Sequence, residues 1–339
     1  MKHFLLALAL LLPVHALAAS PPGLITEDIY APHHGLEMHT AIWYPGTGGT
    51  ETLFADSPVF EGGEVLKDAT PAIGKHPVIL LSHGMGGTYR SLNWLASALA
   101  ERGAIVIAVD HPNGSFNDKD LQKMFNHWTR VQDMETALDA VSADPRFAGK
   151  IDTDRIYATG FSFGGWTALS LGGATASLQG NTEYCAAAGE RSHTCEDLKT
   201  WGIDPAKADP TKWTASYKDS RIKAIAAIEP GLTWGMSAHD VEGLAPDKLL
   251  LIGLGTGTDR LYATDTSAMG SNFEALVPGA KVAVLAPAFH FTGMPLCKPA
   301  GEALLAETKD DPVCTGPKGA NRQAVHDQII DLIAKHFGL

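Results

Sequence analysis

The segment Gly-Phe-Ser-Phe-Gly at residues 160–164 constrains the fold of this chain more than any other part of the sequence. It follows a short apolar run at residues 155–159, typical of a strand, and precedes a run at 166–171, typical of a helix. A strand-to-helix turn this tight strains its central serine and needs small residues two positions away on either side. The pattern predicts a nucleophile elbow with Ser162 as the nucleophile; the alternative is an ordinary exposed serine in a glycine-rich turn.

Strands and helices are predicted to alternate from about residue 77 to the end of the chain. Further strands are predicted at residues 77–82, 104–109, 222–228, 248–254 and 281–285. Helices are predicted at residues 92–102, 128–143 and 322–337. A roughly alternating run at residues 36–44 predicts an antiparallel edge strand. The fold class is therefore α/β, with a mostly parallel sheet covered by helices on both faces.

Residues 20–339 are predicted to form a single domain, within which residues 174–218 interrupt the alternation. This insertion contains one cysteine pair and the tryptophans Trp201 and Trp213. We expect it to cap the carboxyl ends of the parallel strands, where α/β sheets place their chemistry. The alternative is a surface excursion with no role in substrate binding.

Residues 1–19 are predicted to be a signal peptide. Lys2 and His3 precede an apolar run at residues 4–12 that is too short to span a bilayer comfortably, and Ala-Leu-Ala at 16–18 is a cleavage pattern. The alternative is a buried N-terminal helix. Cleavage near Ala18 or Ala19 predicts a periplasmic or secreted protein with no transmembrane segment in the mature chain.

The four cysteines and the charge balance agree with export. The cysteines form two local pairs, Cys185 with Cys195 and Cys297 with Cys314, and an oxidising compartment favours disulfides. Four cysteines allow three connectivities, of which we expect the local one. The net charge is −12 and no basic patch stands out, so nucleic acid is not an expected partner.

A serine hydroxyl becomes a good nucleophile when a histidine, oriented by a carboxylate, removes its proton. His290 lies five residues after the last predicted strand, where this base is expected. Two carboxylates are candidates for the acid. Glu229 ends the strand at 222–228, and Asp259 lies in the loop after the next strand. Burial of a carboxylate at a strand end is costly without a partner, which favours Glu229 and leaves Asp259 open.

Two backbone N–H groups are the candidate oxyanion-hole donors. One belongs to Phe163, directly after the nucleophile, and the other to Met85 in the glycine loop at residues 83–87. Three early histidines raise the possibility of a metal site: His33, His34 and His39. They precede the core sheet and are predicted to be solvated, so neither a metal nor an organic cofactor is expected.

These motifs resemble the α/β-hydrolase fold and, within it, the bacterial predicted dienelactone hydrolase group similar to platelet-activating-factor acetylhydrolases. The resemblance covers about residues 36–339. It rests on the motifs at residues 82–87, 160–165, 227–231 and 289–292, and on the cysteine-containing tail at 297–314. Acetylhydrolase-like members usually have aspartate where Glu229 stands. True dienelactone hydrolases use a cysteine nucleophile where this chain has Ser162.

Residues and resemblance together predict a secreted serine esterase that cleaves small-molecule or lipid-like carboxylic esters through an acyl-enzyme. A second hypothesis is a polyester or lipid hydrolase. Its apolar cleft would be lined by Trp201, Trp213, Trp234 and Phe291, unless these aromatics are ordinary core. A third hypothesis is a non-catalytic binding protein on a hydrolase scaffold.

Overall fold

The computed structural model describes residues 20–116, 118–189, 192–200 and 202–339. The predicted signal peptide and Trp201 lie outside these residues. Within them, ten strands form one sheet. In chain order they are β1 (Gly23–Ala31), β2 (Leu36–Tyr44), β3 (Thr50–Phe54), β4 (Gly63–Lys67), β5 (His76–Ser82), β6 (Ile105–Val109), β7 (Ile151–Phe161), β8 (Ile222–Ile228), β9 (Leu249–Leu254) and β10 (Lys281–Leu285).

The sheet is mostly parallel, as the sequence predicts. Its strand order is β10-β9-β8-β7-β5-β6-β2-β1-β4-β3, and the six strands from β10 to β6 pair in parallel. Strand β2 pairs antiparallel with β6, as expected. Its predicted position at the edge is wrong, because β1 pairs with its other side and β4 and β3 extend the sheet further.

Helices cover both faces of this sheet. Those of the described residues are α1 (Asn93–Glu101), α2 (Leu121–Met124), α3 (His127–Ala143), α4 (Phe163–Gly172), α5 (Leu178–Ala188), α6 (His193–Thr200), α7 (Pro210–Trp213), α8 (Phe273–Leu276), α9 (Gly301–Thr308) and α10 (Arg322–Phe337). None of them is both long and apolar enough to cross a membrane.

Alternating side chains of the central strands divide the core into two layers. In β5, Val78 and Leu80 pack into the layer that holds α3 and α4, whereas Ile79 and Leu81 pack into the layer that holds α1 and α10. Because side chains alternate along a strand, the apolar run of β5 supplies both layers. Polar side chains are therefore expected at the carboxyl ends of the parallel strands rather than along their length.

The insertion at residues 174–218 contains α5, α6 and α7. Trp213 anchors it, because this side chain is fully buried and its ring centroid lies 4.4 Å from that of Phe125 and 4.8 Å from that of His127. Trp213 is therefore core rather than cleft. Both predicted disulfide pairings occur in the structure, Cys185 with Cys195 inside the insertion and Cys297 with Cys314 in the tail.

Candidate active site

Ser162 occupies the turn between β7 and α4 with the strained backbone that the sequence predicts. Its φ is 58° and its ψ is −118°, and its N–H donates to the carbonyl oxygen of Ile228 over 2.9 Å. The flanking glycines have no room for a side chain. A Cβ on Gly164 would lie 1.8 Å from the carbonyl oxygen of Ser82, and one on Gly160 would lie 2.3 Å from that of Gly164. Close packing of backbones therefore explains the glycines.

His290 follows β10 and faces Ser162. Its Nε2 accepts from the Ser162 hydroxyl over 3.1 Å. The turn His290–Gly293 is fixed by its neighbours. His326 of α10 donates from Nε2 to the carbonyl oxygen of Thr292 over 2.8 Å, and Trp94 donates from Nε1 to that of Gly293 over 3.2 Å. His326 therefore positions the turn that carries His290.

Glu229 lies directly after β8, and its carboxylate is fully buried. It accepts three hydrogen bonds: from His290 Nδ1 over 3.1 Å, from the Leu254 N–H over 2.7 Å and from the Thr264 hydroxyl over 2.8 Å. Buried carboxylates need such partners, and this set orients one carboxylate oxygen towards the imidazole. Ser162, His290 and Glu229 thus form a continuous hydrogen-bonded chain, in which Thr264 is a supporting residue that the sequence analysis did not identify.

Asp259, the alternative acid, lies on the exposed turn Gly257–Asp259 after β9. Among the hydrogen bonds of the described residues, none joins its carboxylate to His290. Burial distinguishes the two carboxylates, since Glu229 is enclosed at a strand end and Asp259 faces solvent.

The glycine loop after β5 packs against Ser162. A Cβ on Gly84 would lie 3.3 Å from the Ser162 Cβ. Met85 is the next residue in this loop, and Phe163 is the first residue of α4. The two backbone N–H groups predicted as oxyanion-hole donors therefore belong to two segments that adjoin Ser162, the glycine loop and the start of α4.

Arg130 on α3 contacts the glycine loop through its guanidinium group. No sequence pattern predicted this role for Arg130. Its Nη2 donates to the carbonyl oxygen of His83 and, over 3.2 Å, to the Ser82 hydroxyl. Its guanidinium also lies 4.7 Å from the centre of the Phe163 ring. Burial lowers the pKa of Arg130 to about 9. The side chain thus touches both segments that carry the predicted oxyanion donors.

Asp133 lies one turn further along α3 and is fully buried. Its Oδ2 accepts from His111 Nδ1 over 2.8 Å, and its Oδ1 accepts from His33 Nε2 over 2.7 Å and His34 Nε2 over 3.0 Å. Burial alone would raise the pKa of this carboxyl, but these hydrogen bonds outweigh burial and hold its pKa below the ordinary value. His111 in turn pairs through Nε2 with the Ser82 hydroxyl over 2.8 Å.

The prediction that His33 and His34 are solvated is wrong. Their side chains are only 15% and 8% exposed, because the turn between β1 and β2 folds onto α3. His39 is exposed as predicted and bonds to Asp28. The signal that was missed is a pair of charged residues, Arg130 and Asp133, on the buried and mostly apolar face of α3.

Comparison with known proteins gives structural likeness only. No protein-family model matches the sequence, and the search of curated proteins gave no match. A ferulic acid esterase from Streptomyces cinnamoneus is similar in structure, with a TM-score of 0.59 and 17% sequence identity over 95% of this chain and 91% of that one. The chain has an α/β-hydrolase fold.

Two other solved structures are less similar. Esterase Est22 gives a TM-score of 0.49 and 16% identity over 94% of this chain and 82% of that one. A dienelactone hydrolase from Anabaena variabilis gives a TM-score of 0.44 and 14% identity over 85% of this chain and 95% of that one. The fold assignment therefore rests on the first comparison and on the strand order described above.

Proposed function

We propose that this protein is a carboxylic-ester hydrolase with Ser162 as the nucleophile, His290 as the general base and Glu229 as the acid that orients it. The observation that carries the proposal is the hydrogen-bonded chain at the elbow. Ser162 Oγ lies 3.1 Å from His290 Nε2, and His290 Nδ1 lies 3.1 Å from Glu229 Oε2. This is the order of groups that activates a serine hydroxyl.

The reaction follows from these contacts. His290 Nε2 takes the Ser162 proton as Oγ attacks the ester carbonyl carbon, and Glu229 stabilises the imidazolium that forms. The imidazolium then gives the proton to the alkoxide leaving group as the carbon–oxygen bond breaks, which leaves an acyl-serine. Water attacks this acyl-enzyme with His290 again as the base, and the carboxylic acid and free Ser162 are the products.

The tetrahedral intermediate carries negative charge on the former carbonyl oxygen. In the proposal the backbone N–H groups of Met85 and Phe163 donate to this oxyanion, each contributing on the order of 3 kcal/mol to the transition state. Arg130 contacts the His83 carbonyl and the Phe163 ring and so acts as a positioning residue for both donors. Every step uses only side chains, backbone amides and water.

The proposed substrates are small-molecule esters, and the insertion at 174–218 is their proposed cap. Tyr184 of the insertion stacks on Trp234 with ring centroids 4.4 Å apart, and Trp234 follows Glu229 by five residues. In the alternative of polyester hydrolysis, Trp213 does not line the apolar cleft, because it is fully buried in the core. We also propose export to the periplasm or the medium, supported by two disulfides.

Hydrolysis of p-nitrophenyl acetate by the purified mature chain tests the proposal. We expect turnover by the wild type and loss of at least about 10³-fold in kcat for Ser162→Ala. Ser170→Ala is the matched control, because Ser170 is a buried serine on α4, the helix that follows Ser162, and its hydroxyl has no hydrogen-bond partner among the described residues. Wild-type protein without esterase activity on short-chain esters, or Ser162→Ala with full activity, would contradict the proposal.

A further inference from the structure

Two histidines and an aspartate converge at a place that the proposed reaction does not use. His33 and His34 lie in the turn between β1 and β2, and Asp133 lies on α3. Both Nε2 atoms point at one carboxylate oxygen, Asp133 Oδ1, over 2.7 Å and 3.0 Å. The three atoms all lie within 4.8 Å of one another. We propose that His33 Nε2, His34 Nε2 and Asp133 Oδ1 bind a divalent metal ion of the zinc class.

The chemistry of the donors selects the ion. Two imidazole nitrogens and one carboxylate oxygen suit zinc, whereas calcium and magnesium prefer sites built from oxygen. Bond lengths of about 2.0–2.2 Å place neighbouring donors of a tetrahedral zinc site about 3.3 Å apart. The observed separations from Asp133 Oδ1, 2.7 Å and 3.0 Å, are a few tenths of an ångström shorter than this, and the two Nε2 atoms lie within 4.8 Å of each other. Side-chain rotations therefore have to adjust all three separations, and each Nε2 proton has to leave or move to Nδ1 before the nitrogen binds the ion.

A second layer of contacts already orients these donors. Asp133 Oδ2 accepts from His111 Nδ1 over 2.8 Å, which leaves Oδ1 to face the two imidazoles. Asn113 lies 3.5 Å from Nδ1 of His34 through its side-chain amide. Such outer contacts fix ring orientation at metal sites, and the amide presents a donor or an acceptor to Nδ1 according to its flip.

The fourth position of the ion opens into a cavity of about 380 Å³. His33 and His34 line it together with Lys123 and Lys212, and water has access to it. These ammonium groups have carboxylate partners, Asp120 at 3.1 Å and Asp209 at 4.0 Å, so they do not leave uncompensated positive charge beside a cation. Zinc with three protein ligands and one open position is thus accommodated.

The ion would join the β1–β2 turn to α3, two segments about a hundred residues apart in sequence. It would connect to the active site through His111, which joins Asp133 to the hydroxyl of Ser82, the residue directly before the glycine loop. Binding of the metal is independent of ester hydrolysis. The readout is therefore metal content, so that failure of either proposal is seen separately.

Equilibrium dialysis of chelator-treated mature protein against zinc chloride, followed by elemental mass spectrometry, tests the proposal. We expect about one zinc per wild-type chain and at least a tenfold loss of affinity for the double substitution His33→Gln with His34→Gln. Glutamine keeps a hydrogen-bond donor for Asp133 and removes the imidazole. His39→Ala is the matched control, because His39 is an exposed histidine of the same hairpin, and we expect it to bind like the wild type.

Cobalt(II) in place of zinc gives a second readout, because its visible spectrum reports the coordination of the bound ion directly. The intense visible d–d bands of four-coordinate cobalt are expected for the wild type and for His39→Ala and not for the double variant, whose fold is checked by circular dichroism. Wild-type protein that binds no zinc, or a double variant that binds as tightly as the wild type, would overturn the proposal.

Discussion

Replacing Glu229 by glutamine tests the acid of the proposed site most sharply. The substitution keeps the shape of the side chain and exchanges one carboxylate oxygen for an NH₂ group. In the wild type, one carboxylate oxygen of Glu229 accepts from the Leu254 N–H over 2.7 Å, and the other accepts from His290 Nδ1 and from the Thr264 hydroxyl. A glutamine has only one acceptor oxygen, so it cannot accept both from the Leu254 N–H and from His290 and Thr264.

Both orientations of the amide are unfavourable. With its oxygen towards Leu254, the NH₂ group donates to His290 Nδ1, which moves the ring proton to Nε2 and prevents Nε2 from accepting the Ser162 proton. With its oxygen towards His290, the NH₂ group meets the Leu254 N–H, and two buried donors face each other at a cost of about 1–3 kcal/mol. We expect kcat/KM for p-nitrophenyl acetate to fall about 10³–10⁴-fold, which is about 4–5.5 kcal/mol.

The matched control is Asp259→Asn, because this exposed carboxylate is the other candidate from the sequence. We expect its kcat/KM to stay within about twofold of the wild type. Urea unfolding of both variants checks that the fold is retained. A Glu229→Gln enzyme within tenfold of the wild type, or an equal loss in Asp259→Asn, would refute the assignment of the acid.

Three further predictions concern the backbone at Gly164, the buried His127, and Arg130 beneath the glycine loop. Gly164→Ala should destabilise the protein by about 1–3 kcal/mol or more in urea unfolding, because the new Cβ would lie 1.8 Å from a carbonyl oxygen, while Gly316→Ala, with 3.8 Å of clearance, should be neutral. Burial lowers the pKa of His127 to about 4, so its contribution to stability is full above pH ~6.5 and is lost as pH falls to about 4. His127→Gln should therefore reduce the slope of unfolding free energy against pH in that window by up to about 1.4 kcal/mol per unit. Arg130→Lys should lower kcat by about 10–100-fold with KM nearly unchanged in steady-state assays, because the single ammonium nitrogen of lysine lacks the planar guanidinium that contacts His83, Ser82 and the Phe163 ring together.

The elbow and the parallel sheet were predictable because their constraints are local in sequence. The elbow is recognised from the spacing of its glycines within five residues, although a Cβ on Gly164 would meet Ser82 of β5, and a strand such as β5, buried on both faces, is a continuous apolar run. The position of His290 was predictable for a related reason, since the loop after the last strand reaches the same edge of the sheet as the elbow.

The rest of the candidate site depends on contacts that no local pattern records. Glu229 and Asp259 both follow strand ends, and the structure distinguishes them by the burial of Glu229 and by its hydrogen bonds with His290, Thr264 and Leu254. The contacts of His33 and His34 with Asp133 span about a hundred residues of sequence. The β1–β2 turn that carries both histidines packs on α3 only in the assembled core. Because no local pattern shows this contact, the sequence predicted the histidines to be solvated.

Covalent labelling of the wild-type chain with a fluorophosphonate tests the central claim most directly, because the reagent reports an activated serine whatever the natural ester is. Peptide mass spectrometry should find a single adduct on Ser162, formed at least about 10²-fold more slowly in His290→Ala. Absence of an adduct, an adduct on another serine, or an unchanged rate in His290→Ala would contradict a Ser162–His290–Glu229 mechanism.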